Sequence, residues 1–287
     1  MTKPYSDIYY KSPDKLKLYA RDYGGEVGSP AILCMHGLTR NSADFHNLAL
    51  GLKDRYRIIS VDQRGRGLSD YDNNPNNYRP DIYCSDMFAL LQQLGLETII
   101  AIGTSMGGLM TMMMSAAQPG IFKAAIINDI GPDIDPAGLE RIKGYVGGAH
   151  SFANWENAKD AIKAQGPDVF QDYGETDWED FARRTCRETT NGAVEFAYDP
   201  AISQPFKSDD TTAAPPTLWP IFESLNSIPL LIIRGETSDI LSRETVAEMT
   251  RRHPNSRAVE IPRIGHAPML DEPESLAAIN TFLETVR

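Results

Sequence analysis

Ser105 lies in the turn Gly103-Thr104-Ser105-Met106-Gly107, between an apolar run over 99–102 and a second over 109–114. A serine hydroxyl is a weak nucleophile near neutral pH, and becomes a strong one only beside a general base that a carboxylate holds in orientation. His266, in Arg263-Ile264-Gly265-His266-Ala267-Pro268, follows the last apolar run and is assigned as that base. Glu236 and Asp239, in Arg234-Gly235-Glu236-Thr237-Ser238-Asp239-Ile240-Leu241, are two carboxylates near the same edge. Attack by such a serine on a carbonyl makes an oxyanion, which backbone N–H groups stabilise. The Met106 N–H, one residue past the nucleophile, is one such donor.

The elements that must position these residues can be read from the apolar runs. Runs at 31–35, 58–61, 99–102 and 124–127 are separated by helix-length segments at about 43–53, 80–94 and 106–117. Continuous apolar strands of this kind are covered on both faces, so the sheet is read as α/β and mainly parallel. In a parallel sheet the strands' carboxyl ends share one edge, and here those ends carry His36, Asp62, Ser105 and Asp129. Alternation over 8–22, with Ser12-Pro13-Asp14 as the turn, predicts an antiparallel hairpin at the sheet edge. At Ser105 a strand reverses sharply into a helix, which predicts a positive φ there and near-absent side chains at Gly103 and Gly107. From 132 to 226 the rhythm stops, helices are read at 156–164 and 178–187, and 203–220 reads as an extended, proline-punctuated return. The rhythm resumes with strands at 228–233 and 258–261, a helix at 243–252, and a closing helix from Pro273.

The Ser105 turn resembles the nucleophile elbow of the α/β-hydrolases. So does Met35-His36-Gly37-Leu38-Thr39, similar to that family's His-Gly loop, and Asp62-Gln63-Arg64-Gly65-Arg66-Gly67-Leu68-Ser69, similar to its Asp-x-Arg-Gly-x-Gly-x-Ser turn. The resemblance covers about 28–131 and 226–287. It implies an α/β-hydrolase core formed by 1–131 and 227–287, with helices on both sheet faces and a helical cap inserted at 132–226. It also implies the chain order Ser105, Asp239, His266 for the triad, with Glu236 second and Asp129 third as the acid, and Leu38 N–H as the other oxyanion donor. His36 is read as bracing its loop, the Asp62 turn as scaffold, and His253 as a solvated group at a helix end.

The activity implied is hydrolysis of a small carboxylic ester or lactone through an acyl-enzyme, with no cofactor. Serine at the nucleophile position argues against the carboxylate-dependent haloalkane dehalogenases and epoxide hydrolases. Carbon–carbon hydrolysis of ring-fission diketones is the first alternative, disfavoured by Thr104 where those relatives carry Asn; a retired, non-catalytic binding protein is the second. Arg40 is read as a surface salt bridge or a contact to a substrate carboxylate.

A formal charge of −11 over 287 residues argues against nucleic acid and anionic membranes as partners. The short cluster Arg251-Arg252-His253 is read as a cationic helix end. Cys34, Cys84 and Cys186 are widely spaced and suggest buried thiols in a reducing compartment, and no His, Asp or Glu grouping has metal-ligand spacing. With no secretory pattern over 1–10 and no run long enough to cross a bilayer, a cytoplasmic protein acting on a small molecule is expected. The sequence does not give its oligomeric state.

Overall fold

The computed structural model describes residues 3–26, 28–148, 150–166, 168–206 and 217–286. Strands β1 (Ser6–Lys11) and β2 (Lys17–Asp22) form the antiparallel edge hairpin. There follow β3 (Ala31–Met35), α1 (His46–Leu52), β4 (Arg57–Asp62), α2 (Pro80–Leu94), β5 (Ile99–Thr104), α3 (Met106–Ala117) and β6 (Phe122–Asn128). The segment that interrupts the rhythm holds α4 (Pro136–Tyr145), β7 (Ser151–Phe152), α5 (Trp155–Gln165), α6 (Glu175–Thr185), β8 (Cys186–Glu188), β9 (Val194–Phe196) and α7 (Trp219–Glu223). The chain closes with β10 (Leu230–Gly235), α8 (Arg243–Arg252), β11 (Ser256–Ile261) and α9 (Pro273–Glu284).

Among the described residues, eight strands form one sheet in the order β1-β2-β4-β3-β5-β6-β10-β11, parallel from β4 onward. Every residue of β3 and β10 is buried, as are those of β5 up to Gly103, so helices cover both faces. The register brings Met35 opposite Gly103, Thr104 opposite Asn128, and Ile233 opposite Asn128. The residues just past those positions therefore emerge side by side at one edge. Among the described residues, no helix is long and apolar enough to cross a membrane.

The inserted segment differs from the helical cap expected. Besides helices it holds a small antiparallel sheet, β7-β9-β8, whose strands of two or three residues are too short to show alternation in sequence. The helix read at 178–187 is Glu175–Thr185, and 186–188 is strand. Of the expected extended return, 203–206 belong to the 3-10 helix Pro200–Phe206 and Trp219 opens α7, while 207–216 lie outside the described residues. The 3-10 turn starts where Asp199 accepts hydrogen bonds from the Ala201 and Ile202 N–H groups.

The Asp62 turn ties cap to core. The Gly67 N–H donates to Ala197 O (2.7 Å) and the Asp199 N–H to Gly65 O (2.8 Å). The Asp62 carboxylate accepts the Ser42 and Leu68 N–H groups, and a side chain on Gly67 would collide with it. Behind the turn, buried Arg64 binds Asp86, Asp14 and Asp72.

At the strand-to-helix reversal, a Cβ on Gly103 would strike the Gly107 carbonyl, and one on Gly107 the Met35 carbonyl. Gly107→Ala is expected to lower unfolding free energy by about 1–3 kcal/mol, since backbone must move. Gly144→Ala, within α4 and facing open space, is expected to raise it by about 0.5–1 kcal/mol. Denaturant unfolding of both variants checks the pair.

Candidate active site

Ser105 stands at the tip of the β5–α3 reversal with φ 52° and ψ −115°. This strained conformation is held by its N–H donating to Asn128 O (2.8 Å), while its carbonyl accepts from the Gly108 and Leu109 N–H groups. The Ser105 Oγ lies 2.8 Å from His266 Nε2. His266 hangs from the loop after β11, its side chain 8% exposed.

The partner on the far side of the imidazole is Asp129. Its Oδ2 is 2.8 Å from His266 Nδ1. An ionised carboxylate only accepts, so Nδ1 carries the proton and Nε2 is left to accept from Ser105. Asp129 follows β6 directly, has φ 58°, and is fully buried. It also accepts the Gly235 N–H (2.9 Å) and the Ser238 hydroxyl (2.7 Å).

Asp239 therefore does not take the place beside His266 that the family resemblance implied. Its carboxylate turns to the cap and takes a forked bond from Arg141 of α4, Nε at 2.5 Å and Nη2 at 2.8 Å. Partial burial alone would raise its pKa, but the Arg141 hydrogen bonds and charge outweigh this and hold it below the usual carboxylate value. Glu236 is spent on the Arg263 N–H at the start of the His266 loop. The ranking of Asp239 first rested on the resemblance, while Arg141, which draws it away, sits in a helix that was not read from the sequence.

The loop after β3 lies against the nucleophile. The point where a Cβ on Gly37 would stand is 3.7 Å from Ser105 Cβ. His36 fixes this loop: its Nε2 accepts the Gln63 N–H (3.0 Å), so Nδ1 carries the proton and donates to Gly37 O (2.6 Å). That carbonyl belongs to the peptide whose N–H is Leu38's. The next carbonyl, Leu38 O, accepts from Arg66 Nε (2.9 Å). Both carbonyls flanking the Leu38 N–H are thus clamped. His253 departs from its expected solvated place; it is buried, with Nε2 2.9 Å from Leu225 O.

Above Ser105 lies a cavity of ≈160 Å³. Cap aromatics Tyr145, Phe170, Trp178, Phe181, Phe196 and Tyr198 wall it, and Leu38, Ser105 and His266 line its floor. None of those aromatics was assigned to the site from sequence, since only α5 and α6 of the cap were read as helices there. The cap also grips the histidine loop: the Gly265 N–H donates to Val169 O (2.7 Å), and Arg263 pairs with Asp172.

A family model described as alpha/beta hydrolase fold matches residues 30–273. The 3-hydroxybutyrate-oligomer hydrolase of Cupriavidus necator is 33% identical over 279 residues, 94% of each chain. The 2-(acetamidomethylene)succinate hydrolase of Mesorhizobium japonicum is 28% identical over 90% of each. Among solved structures, an alpha/beta hydrolase from Novosphingobium aromaticivorans superposes with a TM-score of 0.94 at 45% identity, covering 99% of both chains.

Burial pushes His36 down to about 3, against the opposing pull of its bond to Gly37, so it is neutral in the folded protein. Unfolded, it titrates near 6.5, as histidine does at about that pH in water. Below that pH the unfolded chain takes up a proton that the folded chain refuses. The His36 contribution to stability is complete above pH ~6.5 and is lost as pH falls toward ~3. In urea unfolding between pH 6 and 4, His36→Gln is expected to reduce the pH slope by about one proton, ~1.4 kcal/mol per pH unit. An unchanged slope would place a charged or solvated imidazole at this position.

Proposed function

Because this chain belongs to the alpha/beta hydrolase fold family, we propose that it is a serine hydrolase opening a small carboxylic ester or lactone through an acyl-enzyme. The observation that carries this reading is the unbroken hydrogen-bond line Ser105 Oγ, His266, Asp129 at the floor of a cavity. In it, Ser105 Oγ attacks the carbonyl carbon while His266 Nε2 takes the hydroxyl proton. Asp129 keeps the imidazole in the tautomer that can accept and supports the imidazolium that forms. The Leu38 and Met106 N–H groups receive the oxyanion, each donor contributing about 3 kcal/mol to the barrier reduction. Collapse breaks the ester bond, with His266 returning its proton to the leaving alcohol. Water, deprotonated by the same base, then frees the acid and restores Ser105.

The name of the Cupriavidus necator relative favours an ester, since oligomers of a hydroxy acid are joined by ester bonds. Thr104, whose hydroxyl accepts from Asn128 Nδ2 (3.0 Å), occupies the position before the serine. A ring-fission diketone is therefore expected to be turned over far more slowly than a short-chain ester.

A fluorophosphonate probe is expected to label the wild-type protein and not Ser105→Ala. Absence of labelling on folded wild type would reject an activated serine. Asp129→Asn is expected to lower kcat by about 10⁴-fold, because the amide can favour the wrong tautomer. Asp239→Asn, which breaks a half-exposed ion pair, is expected to stay within about fivefold of wild type. The reverse order of the two in steady-state assays would return the acid to Asp239.

A further inference from the structure

Among the cavity's lining residues, Arg40, Asp44 and Thr185 form one connected polar group in a wall that is otherwise largely aromatic and aliphatic. Arg40 rises from the same loop as Leu38. Its Cγ stands 3.7 Å from the point where a Cβ on Gly37 would lie, the same separation as Ser105 Cβ. The guanidinium is packed on Phe181, with Cζ 3.9 Å from the ring centroid. It is not the surface group that sequence reading allowed: the side chain is 14% exposed.

Its hydrogen bonds can be counted. Nε donates to Asp44 Oδ2 (2.8 Å), Nη2 to Asp44 Oδ1 (2.5 Å) and Nη1 to Thr185 Oγ1 (2.6 Å). Thr185 passes its own hydroxyl proton to Phe181 O, so it is fixed as an acceptor toward Arg40. A guanidinium has five N–H donors, and among the described residues three are used. Two remain on a group locked at the cavity wall by a fork, a hydroxyl and an aromatic face. Donors held in this way lose little entropy on meeting a ligand.

Asp44 already balances the charge. A carboxylate placed here would sit beside Asp44 as a desolvated negative charge with no cation of its own, which is costly. An uncharged oxygen meets the spare donors without that cost. The cavity's ≈160 Å³ is close to the ~150 Å³ that encloses a benzene, room for an acyl group of about four to six carbons.

We infer that Arg40 reads a second, uncharged oxygen of the substrate, a hydroxyl or carbonyl a few bonds from the carbonyl that Ser105 attacks. The preferred substrates are then esters of short hydroxy or oxo acids. This rests on the acyl-enzyme reading above.

The test measures kcat/KM by pH-stat for three methyl esters: butanoate, 3-hydroxybutanoate and the monomethyl ester of succinic acid. Ratios are compared with those for hydroxide-catalysed hydrolysis, which removes intrinsic reactivity. Wild type is expected to favour the hydroxy ester over butanoate by roughly tenfold or more beyond the solution ratio, the scale of one charge-assisted hydrogen bond. The anionic succinate ester is expected to fall below butanoate. The double variant Arg40→Met with Asp44→Leu removes both charges, leaving neither orphaned, and is expected to bring the hydroxy-to-plain ratio within about twofold of solution, whatever its absolute rate. Should that variant fail to fold, Arg40→Lys keeps the charge, loses the fork, and is expected to lose most of the preference. A solution-like ratio in wild type, a retained ratio in the variants, or a preference for the succinate ester overturns the inference. Fluorophosphonate labelling of wild-type Ser105 with any of these results leaves the acyl-enzyme reading standing; no labelling removes both.

Discussion

The Asp129 carboxylate is fully buried, and the edge of the sheet is built around satisfying it. An unpaired ionised carboxylate in such a place would cost several kcal/mol. Three donors offset that cost: the Gly235 N–H, the Ser238 hydroxyl and His266 Nδ1–H. Each comes from a different piece of chain, the end of β10, the turn beyond it, and the loop after β11. The carboxylate thus fixes the relative position of those pieces. Removing any one donor leaves charge unsatisfied. The same demand selects the imidazole tautomer, because a carboxylate cannot donate to Nδ1 and only a protonated Nδ1 meets it.

The loop facing Ser105 is held by a second set of constraints of the same kind. His36 and Arg66 are buried and spend hydrogen bonds on Gly37 O and Leu38 O. A bond to a peptide carbonyl polarises that peptide and strengthens the N–H on its other side as a donor. For the peptide between Gly37 and Leu38, that N–H is the one facing the site in the proposed mechanism. The direction of the chain is set from Gln63 N–H through the imidazole to Gly37 O, and it holds only while His36 is neutral. Burial, which pushes its pKa to about 3, keeps it so.

The parts of the molecule legible in the sequence are those whose reason is local or repeated. Strands β3 to β6 show as apolar runs because both faces are buried, and the Ser105 turn shows because two backbone collisions demand glycine at 103 and 107. Asp129 was visible as a polar strand end, but its choice over Asp239 depends on the β6–β10 register and on a left-handed backbone at a non-glycine residue. Neither leaves a mark in residue types. Helix α4 did carry a mark, with Asp135 capping the Ala137 N–H and Pro136 in the first turn. Its weak apolar face hid it. The β7-β9-β8 sheet is shorter than any period that could announce it.

What the sequence could not reveal is also what joins the cap to the chemistry. Val169 O accepts the Gly265 N–H one residue before His266, Phe170 pairs with Ile264, and Asp172 holds Arg263. Thr185, from the end of α6, receives Arg40 from the loop opposite Ser105. The cap therefore touches the site on both sides, at the histidine loop and at the loop beside the nucleophile. A wall built only for shape would need neither contact. A displacement of α6 or of 169–172 would disturb the spacing between His266 and Ser105 along with the cavity volume. Shape and chemistry are thus set by the same packing: the contacts that wall the cavity also hold His266 in line with Ser105.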